Sequence, residues 1–170
     1  MDTFSLVVGN LCSLLAMIAD SISTSRKTVK SMLLFQNISQ LIYCIGAIVL
    51  KGYSGAVQNA VSILRNMTAV GKKTSKAVEW TLITLGVVLG LVCNNRGWIG
   101  LLPVIANLEY SLAVFRFRDN ERALKIAFLV SVVLFTIFHG FILNFVGVLA
   151  NIVLFVMTIL FLIRQNSKKD

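Results

Sequence analysis

The sequence predicts an all-α, polytopic membrane protein of seven transmembrane helices, ordered as three, one and three. Apolar residues make up 57% of the chain and charged residues only 14%, with a mean hydropathy of +0.85; a soluble domain of this size carries far more charge. The apolar residues gather into seven runs, at about 4–20, 32–50, 54–71, 78–94, 97–115, 124–142 and 145–163. Each is near the ~17–25 residues that a helix needs to cross ~30 Å of hydrocarbon. Basic residues alternate between the connecting segments, as they do between the two faces of a membrane.

That alternation sets the expected orientation. Arg26, Lys27 and Lys30 follow the first run; Lys72, Lys73 and Lys76 the third; Arg116, Arg118, Arg122 and Lys125 the fifth; and Arg164, Lys168 and Lys169 the seventh. The other connections hold only Lys51 and Arg96. The heavily basic side belongs in the cytoplasm, which predicts an N-terminus outside and a C-terminus inside. The opening MDTFSLVVGN carries Asp2 and no basic n-region, so it is expected to be a retained first span rather than a cleaved signal.

The net charge of +9 does not point to nucleic acid, because the basic residues sit in short clusters between apolar runs rather than on one solvated face. Cys12, Cys44 and Cys93 lie within or at the ends of apolar runs and fit no metal or redox spacing; they are expected to be small packing residues.

An internal correspondence at an offset of 92 positions organises the chain. Tyr53, Gly55, Asn59 and Val61 fall on Phe145, Gly147, Asn151 and Val153, and Ser39, Tyr43 and Ile45 fall on Ser131, Phe135 and Ile137. A direct duplication of three helices inverts its second copy unless one helix intervenes, and the fourth run supplies it. The expected organisation is a three-helix bundle at 1–76, a linker helix at 77–95, a second parallel three-helix bundle at 96–164 and a cytoplasmic tail at 165–170.

The run NAVSILRN (Asn59–Asn66), with GWIGLLPVIANLEYSLAVFR (Gly97–Arg116) and IFHGFILNFVG (Ile137–Gly147), resembles the YgjV family of bacterial inner-membrane proteins. The similarity runs along nearly the whole chain and is strongest at Leu101–Asn107. It implies a bacterial inner membrane and brings no settled activity. The three-one-three order is also similar to the SWEET, SemiSWEET and PQ-loop transporters, which carry prolines in early helices of each bundle and an Asn on the third helix of each. Asn59 and Asn151 stand in matching places, and Pro103 is the expected hinge of the second bundle. As the only proline it leaves the first bundle without a counterpart, and no Pro-Gln pair exists.

The candidate binding residues follow from the cost of polarity in hydrocarbon. Asn59 and Asn151 must face the bundle interior or a wet cavity. Facing each other, their amides offer donors and acceptors to a small polar solute; an interhelical hydrogen bond is the plainer role. Ser62 continues the face of Asn59, and Asn107 joins the set of substrate contacts. Arg65 and Glu109 each precede a basic residue by seven positions, which puts them at similar depth, where an ion pair forms an inner gate. Alternatively, Arg65 snorkels and Glu109 lines an aqueous vestibule. Gln36, Asn37 and Gln40 make the second run polar near its cytoplasmic end, and His139, the only His, suits an interfacial role.

No nucleophile elbow, phosphate loop or His/Cys cluster is present in the sequence, so neither a catalytic residue nor a metal or cofactor is expected. The expected function is transport of a small polar solute, sugar-like or vitamin-like, by alternating access within the lipid bilayer, with homo-oligomerisation left open. The alternative is a non-transporting inner-membrane protein that binds a partner protein or lipid through its basic face.

Overall fold

The computed structural model describes residues 2–71 and 75–166, which hold seven α-helices and one 3-10 turn. These are α1 (Thr3–Thr24), α2 (Val29–Val49), α3 (Tyr53–Val70), α4 (Lys76–Val92), the 3-10 turn Gly97–Gly100, α5 (Leu101–Arg116), α6 (Glu121–Phe141) and α7 (Phe145–Asn166). Lys72, Lys73, Lys168 and Lys169, which entered the charge argument, lie outside the described residues, as do 167–170 of the expected tail.

Helix starts precede the apolar runs because caps, not hydropathy, set them. Asp2, Thr28, Ser75 and Asn120 each accept a hydrogen bond from the backbone N–H three residues on, satisfying one of the four orphan donors of a first helical turn. Asn120 thereby brings Glu121 and Arg122 into α6, three residues ahead of the expected edge.

The number of spans differs from expectation. Five helical segments are long and apolar enough to cross a membrane: Thr3–Thr24, Val29–Val49, Gly97–Arg116, Glu121–Phe141 and Phe145–Gln165. This corrects the expectation of seven transmembrane helices. The third helix fails on composition, because Gln58, Asn59, Ser62, Arg65 and Asn66 fall within its 18 residues; the fourth fails on length, at 17 residues. All five of these side chains are buried. They face α2, α4 and α5, on which α3 packs, while Leu64 and Met67 form its exposed face; a helix with one face in protein need not be apolar all round.

Six helices close a ring. α1 packs on α2, α2 on α3, α3 on α5, α5 on α6, α6 on α7 and α7 back on α1, while α4 packs on α3 and α5 from outside. Small residues allow these approaches: the Gly46 position of α2 lies against Cys12 of α1, and Gly86 and Gly90 of α4 make room for the Gln58 side chain of α3. The outward faces are apolar, as Leu11, Leu15 and Ile18 on α1 and Leu149, Ile152 and Val156 on α7 show; these are surfaces for lipid contact.

The two ends of the ring differ. Arg26, Lys27, Lys30, Arg116, Arg118 and Arg122 lie in or beside the α1–α2 and α5–α6 connections. Those connections meet α4 through the Arg118–Glu79 ion pair (2.5 Å), and each other where Lys125 Nζ donates to the Arg26 carbonyl. At the opposite end Asn95 and Arg96 donate to the carbonyls of Lys51 and Leu50, and Asn10 donates to that of Leu143. The α2–α3 and α6–α7 turns at that end share one backbone. Lys51 (φ 54°) and Leu143 (φ 60°) are the non-glycine residues with positive φ. Gly52 N–H donates to Ala47 O as Asn144 N–H does to His139 O, and Lys51 N–H to Ile48 O as Leu143 N–H to Gly140 O.

Candidate functional site

A cavity of about 40 Å³ lies at the centre of the ring, lined by all six of its helices. α1 contributes Asp20; α2 Gln40 and Tyr43; α3 Asn59, Ser62 and Arg65; α5 Asn107 and Tyr110; α6 Ser131, Phe135 and His139; and α7 Asn151. At roughly 10–15 Å³ per water centre this space holds a few waters. Apolar clusters seal it at both ends. Toward the basic end sit Met32, Leu33, Tyr110, Val114, Leu124 and Phe128; toward the opposite end sit Leu50, Ile99, Phe138 and Ile142.

Five of the expected site residues meet here: Asn59, Ser62, Arg65, Asn107 and Asn151. The Asn59 amide forms no hydrogen bond with any described residue, although Asn59 is only 5% exposed, so its polar atoms are left to the cavity. Asn151 Nδ2 lies 3.5 Å from His139 Nδ1, a long contact whose sense depends on the imidazole tautomer. The His139 ring is close to Gly147, where a Cβ would lie 2.6 Å from Nδ1.

Asn107 is a hub joining three helices. Its Oδ1 accepts from Ser62 Oγ at 2.8 Å and from Arg65 Nη1 at 2.7 Å. Its Nδ2 donates to Gln58 Oε1 at 2.6 Å, and Gln58 Nε2 donates in turn to the Gly86 carbonyl of α4 at 2.7 Å. One amide thus ties α3 to α5 and, through Gln58, both to α4.

Arg65 is 1% exposed. Besides Asn107, Nη1 donates to Ser111 Oγ at 3.1 Å and Nε to Asn66 Oδ1 at 3.0 Å, and the guanidinium stands 4.7 Å over the Tyr110 ring. Nη2 has no partner. All these acceptors are neutral. Glu109, expected to pair with Arg65, forms no ion pair with it and lies in an outer groove with Ile105, Leu108, Leu112 and Arg116. A guanidinium stays charged at any relevant pH, and an unpaired buried ion carries a penalty of several kcal/mol. The hydrogen bonds and the Tyr110 face offset part of it.

Pro103 lies in the first turn of α5, just after the 3-10 turn. Its missing N–H falls among the donors that have no intrahelical partner anyway. Flexing there would occur between the 3-10 turn and α5 rather than within a helix.

Sequence reasoning missed Asp20. It ends the first apolar run and reads as a polar flank, yet α1 continues to Thr24 and Asp20 is 4% exposed. Gly9, Ser13, Ala16, Asp20 and Ser23 form a small and polar stripe at helical spacing along the buried face, a signal that could have placed it inside. Its Oδ1 is 2.5 Å from Ser39 Oγ, which also lies 2.9 Å from the Gln36 carbonyl oxygen. A hydroxyl has one hydrogen. Either the hydroxyl shares its hydrogen between the two acceptors, or a protonated Asp20 donates to Ser39 while Ser39 donates to Gln36. Tyr110 was missed as well: its hydroxyl exchanges hydrogen bonds with the Gln36 amide at 2.9 and 3.1 Å across the basic end of the cavity.

A family model described as Imp-YgjV, bacterial inner membrane protein, matches residues 7–169. No curated protein and no solved structure matches the chain.

Proposed function

The chain belongs to the Imp-YgjV family of bacterial inner membrane proteins, and from that premise we propose that it carries a small polar solute, sugar-like or vitamin-like, across that membrane by alternating access. The observation that carries this reading is the sealed polar cavity to which all six ring helices contribute, with the unpartnered Asn59 amide on its wall. A packed structural core would satisfy that amide or replace it. The cavity is too small for such a solute as it stands, so carriage requires the ring to part at one end and then the other.

Two bundles, α1–α3 and α5–α7, are the moving units in this reading, with α4 as the link. The ring supports it, because the α1–α7 contact answers the α5–α3 contact under the 92-residue correspondence. The matched turns at Lys51 and Leu143 support it too. This order of helices is what likens the chain to the SWEET group. The charge difference between the two ends favours a cytoplasmic basic end, with the N-terminus outside and the C-terminus inside.

The test is uptake into proteoliposomes over a panel of sugars, vitamins and amino acids, comparing wild type with Asn59→Ala and Asn151→Ala. Flux of at least one solute, reduced tenfold or more by either substitution, is expected. Absence of flux for every solute refutes the reading, as does a flux indifferent to both substitutions.

A further inference from the structure

We propose that the cavity recognises its solute through a single carboxylate, with Arg65 as the residue that receives it. The proposal rests on the solute-carrying reading above and narrows the class of solute. Three observations lead to it. Arg65 is among the largest fully buried side chains of the protein, it lines the cavity, and every partner of its guanidinium is neutral. The two N–H groups on Nη2 are unpartnered. Nε and Nη1 are taken, so a carboxylate is received at Nη2, whose charge-assisted N–H donors suit an anionic oxygen.

The charge inventory of the cavity selects the anion. The other titratable groups on its wall are Asp20, Tyr43, Tyr110 and His139. Asp20 is buried, 2.5 Å from the Ser39 hydroxyl and without a cationic side chain within ion-pair distance, which favours its protonated form. Of the helices packed on α1, α2 presents Gln40 and Tyr43 to the cavity and α7 presents Asn151. His139 is buried among Tyr43, Phe135 and Phe138 with no carboxylate paired to it, which favours the uncharged imidazole; with Asp20 also neutral, Arg65 is the one fixed charge on the wall. A solute bearing one negative charge brings the closed cavity to neutrality; a neutral polyol leaves a bare cation, and a phosphate ester with about −1.5 to −2 charges overshoots. Asn59, with its amide free on the cavity wall, offers a donor and an acceptor to the rest of the solute.

The experiment is equilibrium binding to the full chain in lipid nanodiscs, using acid–alcohol pairs of matched size: gluconate against glucitol, and pantothenate against panthenol. The expected result is that at least one acid binds tenfold or more tightly than its alcohol. Arg65→Gln loses that preference, and Arg65→Lys retains part of it because the charge remains while the Nη2 donors are lost. If Arg65→Gln does not fold, the acid–alcohol ratio in wild type decides alone. An alcohol that binds as tightly as its acid, with Asn59→Ala weakening both, overturns the carboxylate assignment and leaves solute carrying intact. No binding by any probe, together with no flux over the uptake panel, overturns both.

Discussion

Replacing Asn107 by Ala tests whether the cavity wall is held by one amide. The substitution removes acceptance from Ser62 and from Arg65 and donation to Gln58, at 2.8, 2.7 and 2.6 Å. Neutral interhelical hydrogen bonds in bilayers average about 0.6 kcal/mol each, and one to a charged group is worth about 1.5–3 kcal/mol. The expected loss is roughly 3 kcal/mol, of which about half belongs to Arg65. Unfolding measured in bicelles, with a cycle over Asn107→Ala and Arg65→Met, isolates that half as a coupling of about 1.5 kcal/mol. A change below about 0.5 kcal/mol for Asn107→Ala, or an Arg65 coupling within the ~0.3–0.5 kcal/mol scatter of independent sites, refutes the hub. Asn107→Asp separates charge from hydrogen bonding. It gives Arg65 a carboxylate of its own but sets two acceptors against each other at Gln58 Oε1. Turning the Gln58 amide would forfeit its bond to the Gly86 carbonyl. The Asp variant should therefore keep Arg65 in place and weaken carboxylate binding tenfold or more, because the guanidinium is already neutralised.

Two further outcomes are expected. Infrared spectra of protein carrying isotope-labelled aspartate should show a protonated carboxyl stretch at pH 7 that Asp20→Asn removes; a solvated aspartate is only about a thousandth protonated at that pH, so absence of the band refutes a neutral Asp20. Gly90→Ala should destabilise by about 1–3 kcal/mol, because its Cβ would lie 2.1 Å from Gln58 Nε2 and 2.7 Å from Val104 Cγ2. Gly140→Ala, with nothing within 4 Å of its Cβ, should be neutral or gain up to about 1 kcal/mol of helix propensity; equal melting temperatures for the two variants would refute the close docking of α4.

Hydropathy and turn residues made all seven helices legible; caps such as Asn120 moved some starts earlier, α5 starts only at Leu101 after the 3-10 turn, and α1 runs on to Thr24. The membrane status of α3 and α4 was not legible, because the length of a run reports neither what surrounds a helix nor how its polar residues are spent. The buried polar face of α3 illustrates this: Asn59, Ser62 and Arg65 could be picked out as expensive, and the structure gathers all three on one cavity. Their partners could not be read in the same way. Arg65 and Glu109 share a depth by counting residues, but depth leaves rotation about the helix axis undetermined. Glu109 lines an outer groove, half-buried with Oε2 unpartnered, while Asn107 and Tyr110, on the inner face of α5, take Arg65. Asp20 was lost for the opposite reason, since an acid at the edge of an apolar run looks solvated until the next turn of helix is known to continue.

The two seals of the cavity differ in chemistry, and that difference assigns the step a solute would control. At the end opposite the basic loops, Phe138 packs on Leu50, Ile99 and Ile142. Its ring sits so near Gly55 that a Cβ there would be 2.7 Å from Cε1. This seal is dispersion and area, without directional bonds, and no group in the cavity competes for it. At the basic end the seal includes the reciprocal Gln36–Tyr110 hydrogen bonds, and the Tyr110 ring is also the face that offsets the charge of Arg65. A carboxylate on Arg65 satisfies that charge better than a ring face does, so the pull holding Tyr110 inward weakens when the cavity is filled. Occupancy thus bears on the basic seal and leaves the Phe138 seal untouched. Under the proposed carriage of a carboxylate solute, a cavity so built would release toward its basic end when loaded, and an Arg65 left without an anion would hold that end shut.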